Sequence, residues 1–306
     1  MRVLAIGGGG FIGHHLVTLM ATRGHKVVVL GRSAEPARPL PQGVGYAQGD
    51  MNDPCKLAKL LQGVDAVAHL ASTTVPATGD KDPAADVQTN LIGTLALLSA
   101  MKEAGCSRLL FLSSGGTVYG VPQSIPIEET DPLNPICSYG IVKVAIESYL
   151  ELFARNYGLR FVTIRASNPY GPHQGNMGLQ GVIGTFLNRA FDRKPIEIWG
   201  DGSTIRDYIY VTDLCELCLD ALESGRTGIY NGASGHGTSV QHIADVVQEV
   251  TGLQLDIRNL PGRVFDVPTS ILGVEKARHD FHWRPRVGLR EGISLTWRWL
   301  LEARAP

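Results

Sequence analysis

Apolar positions follow two rhythms along the 306 residues of the chain. Strand-like apolar runs at Val3–Ile6, Val27–Leu30, Gly45–Gln48, Ala66–Leu70, Leu109–Leu112 and Phe161–Ile164 predict strands. Between most of them lie longer stretches with helical spacing, such as Asp86–Ala104 and Tyr139–Asn156. This alternation predicts an α/β protein with a doubly wound parallel sheet and helices on both faces. After Asn168 the rhythm breaks. NPYGPHQGNMGLQG, rich in Gly, Pro and Asn, predicts a long loop into a smaller region. There the pattern predicts a helix over Val182–Phe191, a strand over Ile196–Trp199, a turn at Gly200–Gly202 and a terminal strand–helix stretch. The expected division is 1–168 and 169–306, with later segments free to return to the first domain.

Charge and composition narrow the partners. The 28 basic and 29 acidic residues nearly cancel, with no basic run longer than two, which argues against nucleic acid and for a small molecule. No stretch approaches the roughly 20 apolar residues of a membrane span. MRVLAIGGGG has only a short apolar run before its glycines, unlike a signal peptide, so a cytoplasmic location is expected. Five loosely spread cysteines suit a reducing compartment. Cys215 and Cys218 form a CxxC inside an amphipathic helical pattern, with no second pair at metal spacing. They are expected to be buried structural thiols, and no metal is expected.

GGGGFIG follows the first strand and opens a helical pattern, with glycines at 7, 10 and 13. Glycine permits the tight turn and close backbone approach that a pyrophosphate needs at a helix N-terminus. A dinucleotide is therefore the expected cofactor. At the end of the second strand an acid usually holds the adenosine ribose. Here VVVLGRS places Gly31 and Arg32 there, so a 2′-phosphate would not be repelled and Arg32 could pair with it. Solvation or stacking of Arg32 is the alternative, and NAD and NADP both stay open at this point. Asp50, in AQGD, is a candidate adenine contact.

Tyr139 and Lys143 stand four apart at a predicted helix start, so the ammonium can lie near the phenol and favour its phenolate. That makes the tyrosine a candidate base. One crossover earlier, SSGGTVYG (Ser113–Gly120) ends a predicted strand.

Together with HLAS (His69–Ser72), NLIGTL (Asn90–Leu95), SNPYGP (Ser167–Pro172), WGDGSTIRDYIYVTD (Trp199–Asp213) and PGRVFDVP (Pro261–Pro268), these motifs cover nearly the whole chain. It resembles the extended short-chain dehydrogenases/reductases, NAD-dependent nucleotide-sugar epimerases and dehydratases, and most closely UDP-galactose 4-epimerases. The resemblance implies a Rossmann domain with a smaller C-terminal α/β domain for the nucleotide sugar. It implies Tyr139 as base and Lys143 as its partner, also holding the nicotinamide ribose. It places the cofactor against Gly7, Gly10, Phe11, Ile12, Gly13, Arg32, Asp50, Met51, Leu70, Ala71, Ser72 and Ser113, beside Tyr139 and Lys143. For the substrate it implies Asn168, Gln180, Val182, Arg206 and Arg263. An interdomain salt bridge is the alternative for Arg206, and solvation for Arg263.

Two departures matter in SSGGTVYG. Gly115 stands where epimerases of the SSSATVYG type carry a catalytic serine. Gly115, Gly116 and Thr117 replace the Thr-Asp-Glu of dehydratases, which argues against 4,6-dehydration. Thr117 remains as candidate helper at the sugar O4 and Ser114 on the nicotinamide side, with a structural role open for each. The resemblance implies NAD-dependent 4-epimerisation of a UDP-hexose. An NADP-dependent 4-keto-sugar reductase is the alternative, favoured by Gly31 and Arg32. It also implies a homodimer through helices around Asp86–Ala104 and Tyr139–Asn156.

Overall fold

The computed structural model describes residues 1–174, 181–262 and 267–305. Its first half alternates strands and helices: β1 (Arg2–Ile6), α1 (Phe11–Thr22), β2 (Lys26–Gly31), β3 (Gly45–Gln48), α2 (Pro54–Leu60) and β4 (Ala66–His69). Two short helices, α3 (Pro76–Gly79) and α4 (Pro83–Asp86), precede α5 (Gly93–Glu103), β5 (Arg108–Ser114), α6 (Ser138–Tyr157) and β6 (Arg160–Ala166). Then come β7 (Asn168–Tyr170), α7 (Val182–Phe191), β8 (Ile196–Trp199), β9 (Ile205–Tyr210), α8 (Val211–Ser224) and β10 (Gly228–Gly232). The chain ends with β11 (Gly237–Ser239), α9 (Val240–Thr251), β12 (Ile257–Leu260), β13 (Thr269–Ser270), α10 (Glu275–Phe281) and α11 (Leu289–Ala303).

The chain forms two compact units. Unit 1 comprises Met1–Gly120, Pro132–Arg165 and Cys215–Tyr230; unit 2 comprises Val121–Asp131, Ala166–Leu214 and Asn231–Pro306. In place of one cut after 168, the chain first crosses to unit 2 after Gly120, returns at Pro132, and crosses again after Arg165. Cys215–Tyr230 is the segment that returns, and Val121–Asp131 belongs with unit 2.

A seven-stranded sheet runs β10–β6–β5–β4–β1–β2–β3. Its β3–β2–β1–β4–β5 stretch pairs parallel, with Val3 opposite Val27 and Ala66. β4 is buried along its whole length and β1 from Val3 onward, as expected where helices cover both faces. Strand order reverses about β1, so the carboxyl ends of β1 and β4 flank the crevice where this fold takes ligands. The core of unit 1 includes Leu4, Val67, Leu97, Met101, Phe111, Ile146 and Phe161.

Unit 2 has β11–β9–β13 with β7 also on β9, and a parallel pair β12–β8. Tyr170, Ile183, Phe186, Ile198, Tyr208, Ile243, Val247 and Ile293 form its core.

Two expectations need correction. The helix expected over Asp86–Ala104 is interrupted by a π-helical stretch, Val87–Ile92, in which Asn90 turns its amide to Asp86 (2.7 Å) and Thr74 (3.1 Å). Such turns often occur at functional sites. The expected loop from Asn168 begins as strand β7, paired parallel with β9. Pro169 and the following Gly–Pro hid it, because proline in a short strand reads as a breaker. Cys215 and Cys218 are buried on α8, and burial pushes both thiols up, as suits inert packing groups. Among the described residues no cluster could hold a metal, and no helix is long and apolar enough to cross a membrane.

Candidate active site

The turn after β1 is built for close approach. Gly7 has φ +83, and a Cβ there would lie 2.6 Å from the Ala71 nitrogen. A Cβ on Gly13 would drive into the Gly7 carbonyl, so the helix lies directly on the turn. No side chain caps α1 and its first turn carries no acid, which leaves that N-terminus suited to an anion. A cavity of 250 Å³ opens here, lined by Gly7, Gly10, Arg32, Asp50, Met51, Leu70, Ala71 and Ser72 among others. Eight of the expected cofactor residues therefore meet in one place, and a dinucleotide pyrophosphate fits the cradle that side chains would fill. Phe11, Ile12 and Gly13 form the start of α1 rather than the cavity wall.

Helix α6 presents Tyr139 and Lys143 in its first two turns. Its start is held from a distant part of unit 1: Ser138 N–H donates to Asp80 (2.7 Å) and its hydroxyl to buried Asp86 (2.8 Å). Gly140 lets the helix approach SSGGTVYG, since a Cβ would lie 2.8 Å from the Thr117 carbonyl oxygen. Tyr139 keeps some exposure, yet burial is the largest influence on its phenol and pushes it above the ordinary tyrosine range. The nearby Cys137 adds to this, a hydrogen bond with Ser114 opposes it, and Asp86 adds again.

Lys143 is buried, and desolvation lowers its ammonium to about 8 against the support of Glu147 and Asp86. It donates to the Leu112 carbonyl (2.9 Å) and stands 4.7 Å from the Phe111 ring centre and 5.5 Å from that of Tyr139. Burial is the largest influence on the phenol, and the lowering expected from this cation is not among those that set it. Ser114 is the group that favours the phenolate.

The other hydroxyls of SSGGTVYG separate cleanly. Ser113 donates to buried Glu147 (2.5 Å), which also receives Arg165 (2.7 Å), so its hydroxyl serves this network. Tyr119 is buried and accepts from Arg165 (2.9 Å). The Thr117 hydroxyl oxygen is buried without a hydrogen-bond partner among the described residues. Such an orphan is costly unless a ligand satisfies it. Gly115 and Gly116 place no acid or base beside it.

Unit 2 carries a second cavity, of 240 Å³, lined by Asn168, Val182, Arg206, Trp199 and Tyr208 among others. Asn168 donates its amide to the Asp207 carbonyl (2.8 Å), and Arg206 to that of Ile205 (2.9 Å). Two acids near Arg206 along the chain, Asp207 and Asp213, each accept from other donors. Asp207 accepts from Ser234 (2.8 and 2.7 Å) and Gly235 (2.9 Å), and Asp213 from the Arg286 and Val287 amides (3.0 and 2.9 Å). Gln180 and Arg263 lie outside the described residues.

Sequence reasoning missed Asp86, Glu147, Arg165 and Tyr208. Tyr208 has a buried hydroxyl with no partner among the described residues and a phenol pushed up to about 12 by burial. Its signal lay inside WGDGSTIRDYIYVTD. Buried His69, in HLAS, bonds Thr94 (2.9 Å) and is lowered to about 3 by burial and then by Lys143, so it is neutral.

The chain is similar to known proteins over nearly its whole length. The chain is 35% identical to a solved UDP-glucose 4-epimerase of Thermotoga maritima with UDP-glucose, over 99% of both chains and with a TM-score of 0.94. It is 36% identical to one of Thermus thermophilus in complex with NAD, over all of both chains, with a TM-score of 0.92. It is 33% identical to a dTDP-4-dehydro-6-deoxyglucose reductase of Escherichia coli, over 95% of each chain. Residues 3–233 match the NAD dependent epimerase/dehydratase family, and the chain belongs to it.

Proposed function

We propose that the protein is a nucleotide-sugar 4-epimerase acting on a UDP-hexose with bound NAD. The observation that carries this is Tyr139 hydrogen-bonded to Ser114, with Lys143 one turn on and no dehydratase acid beside them. Bound NAD supplies a hydride acceptor that returns the hydride after use. The phenolate, favoured against burial by the positive nicotinamide ring of bound NAD, is the form in which Tyr139 takes the proton of the sugar C4 hydroxyl; it gives the proton back when the 4-keto sugar presents its other face. Ser114 bonds the phenolate, and Thr117 offers the sugar its hydroxyl, which has no partner among the described residues. Lys143 has further N–H groups for the nicotinamide ribose, and Gly7 and Gly10 receive the pyrophosphate.

For the substrate, Arg206 and Asn168 bind the diphosphate, and Gln180 and Arg263 are assigned to the same role. The Trp199 ring, 45% exposed, offers a stacking surface for the base. The family and the epimerase relatives support this reading. A second reading, an NADP-dependent 4-keto-sugar reductase, is favoured by Gly31 and Arg32 and by the reductase relative.

A homodimer and a cytoplasmic location belong to the same proposal. Exposed Ile141, Leu152 and Tyr157 on α6 support the first. Five cysteines free of disulfides support the second. Light scattering at twice the chain mass is the expected outcome.

The purified protein should interconvert UDP-glucose and UDP-galactose with no stoichiometric consumption of cofactor. Tyr139→Phe should cut turnover by about 10²–10⁴-fold with nucleotide binding intact. Turnover of added NADPH with a 4-keto sugar, and no interconversion of any UDP-hexose or UDP-N-acetylhexosamine pair, would establish the reductase instead.

A further inference from the structure

At the carboxyl end of β2 the usual acid is absent, and the structure shows what occupies its place. A Cβ on Gly31 would lie 2.5 Å from the Tyr46 hydroxyl and 3.0 Å from two of its ring carbons. Tyr46 is no loose end. It sits in β3 opposite Val29, and its hydroxyl donates to the Ser33 carbonyl (2.7 Å). Glycine at position 31 is therefore imposed by Tyr46, and a carboxylate there would require the ring to move.

The charges around this end have the opposite sign. Arg32 is exposed and lines the cofactor cavity next to Gly31. Arg38 reaches back to donate to the Gly9 carbonyl (3.0 Å), bringing a second guanidinium to the glycine turn. Asp50 is the one acid among the described cavity residues, and its carboxylate accepts from the Asn52 amide and side chain, at 2.8 Å each. An acid in the place of Gly31 would bond the ribose hydroxyls and repel a phosphate on them, whereas a guanidinium pairs with that phosphate.

We propose that the cofactor site also admits the 2′-phosphorylated dinucleotide NADP, with Tyr46 excluding the discriminating acid and Arg32 receiving the phosphate. The inference rests on the dinucleotide site assigned above and concerns its selectivity. Binding is read directly, by quenching of protein fluorescence with NAD and with NADP. The two dissociation constants should agree within about tenfold, a difference of about 1.4 kcal/mol.

NADP binding weaker than NAD by about 100-fold or more overturns the proposal and leaves the NAD site standing. Binding of neither overturns both. Arg32→Ala should weaken NADP by about tenfold and NAD by less than about threefold, and equal losses remove Arg32 from the role. Because Gly31→Asp alone collides with Tyr46, the acid is introduced as Gly31→Asp/Tyr46→Ala. That variant should bind NAD at least about tenfold better than NADP. A ratio unchanged from the parent protein rules out the exclusion mechanism.

Discussion

Two neighbouring stretches of α6 make opposite uses of buried charge. Toward its middle, Glu147 accepts from Ser113 and from Arg165, and Arg165 also bonds Tyr119. Here acid, base and hydroxyls answer one another. One turn nearer the N-terminus, Lys143 donates to the Leu112 carbonyl and has no ion pair among the described residues, with Glu147 and Asp86 supporting its charge only from a distance. The Thr117 hydroxyl has no partner among the described residues. Burial raises Tyr139 and lowers Lys143, so each is driven toward its neutral form. A satisfied network rigidifies a core, whereas groups left in need of partners mark a place prepared for a ligand. The difference separates support from chemistry within a single helix, and each side of it can be tested.

The largest effect on stability is expected on the satisfied side. Glu147→Ala leaves the Arg165 guanidinium buried with its carboxylate partner gone, and should cost about 3–5 kcal/mol in urea unfolding. A loss below about 1 kcal/mol would erase the contrast, since the network would then carry no more than a surface pair.

Lys143→Met tests the other side and has the opposite sign. The folded protein holds this ammonium near 8, below its ordinary value of 10.5. Below pH 8 both folded and unfolded chains are protonated, and the burden of the buried charge is fully present. Between about pH 8 and 10.5 the unfolded chain binds more protons, so the stability of the parent protein rises with pH. At pH 7 the methionine variant should therefore be more stable by about 2 kcal/mol after the lost Leu112 contact, and lack epimerase activity. That advantage should shrink as pH rises through this window. A destabilised variant at pH 7 would mean that Lys143 is a structural cation like Arg165.

The same contrast explains what the sequence disclosed. Short apolar runs disclosed β1 to β6 within one or two residues at each end, although β1 and β4 to β6 are buried along most of their length while β2 alternates and β3 is only half-buried. Tyr139 and Lys143 were visible because helical spacing alone brings them together. Glu147 and Arg165 meet across 18 residues and two different elements, which no local pattern records. Tyr119 shows the limit within a motif: TVYG announces the family, yet the bond of this tyrosine to Arg165 crosses 46 residues. In unit 2 the cavity draws on β7, α7, β8 and β9, and the pairing of β7 with β9 joins residues as far apart along the chain as Asn168 and Tyr208. Tyr208 is marked as a candidate only by its buried hydroxyl, which has no partner among the described residues.

Thr117 carries the smallest expected effect and the sharpest distinction. Valine matches its shape and removes the hydroxyl. If the hydroxyl belongs to the support, its loss should cost stability, as losing a made hydrogen bond does. It has no partner among the described residues, so Thr117→Val should leave stability unchanged or raise it by about 1 kcal/mol. If the hydroxyl serves the sugar O4, the same variant should lower kcat by about tenfold, the worth of one hydrogen bond made in the transition state. Stability preserved with kcat reduced puts Thr117 on the chemical side of the helix. Stability raised with kcat unchanged makes it packing, and leaves Tyr139 and Ser114 as the proton-handling pair.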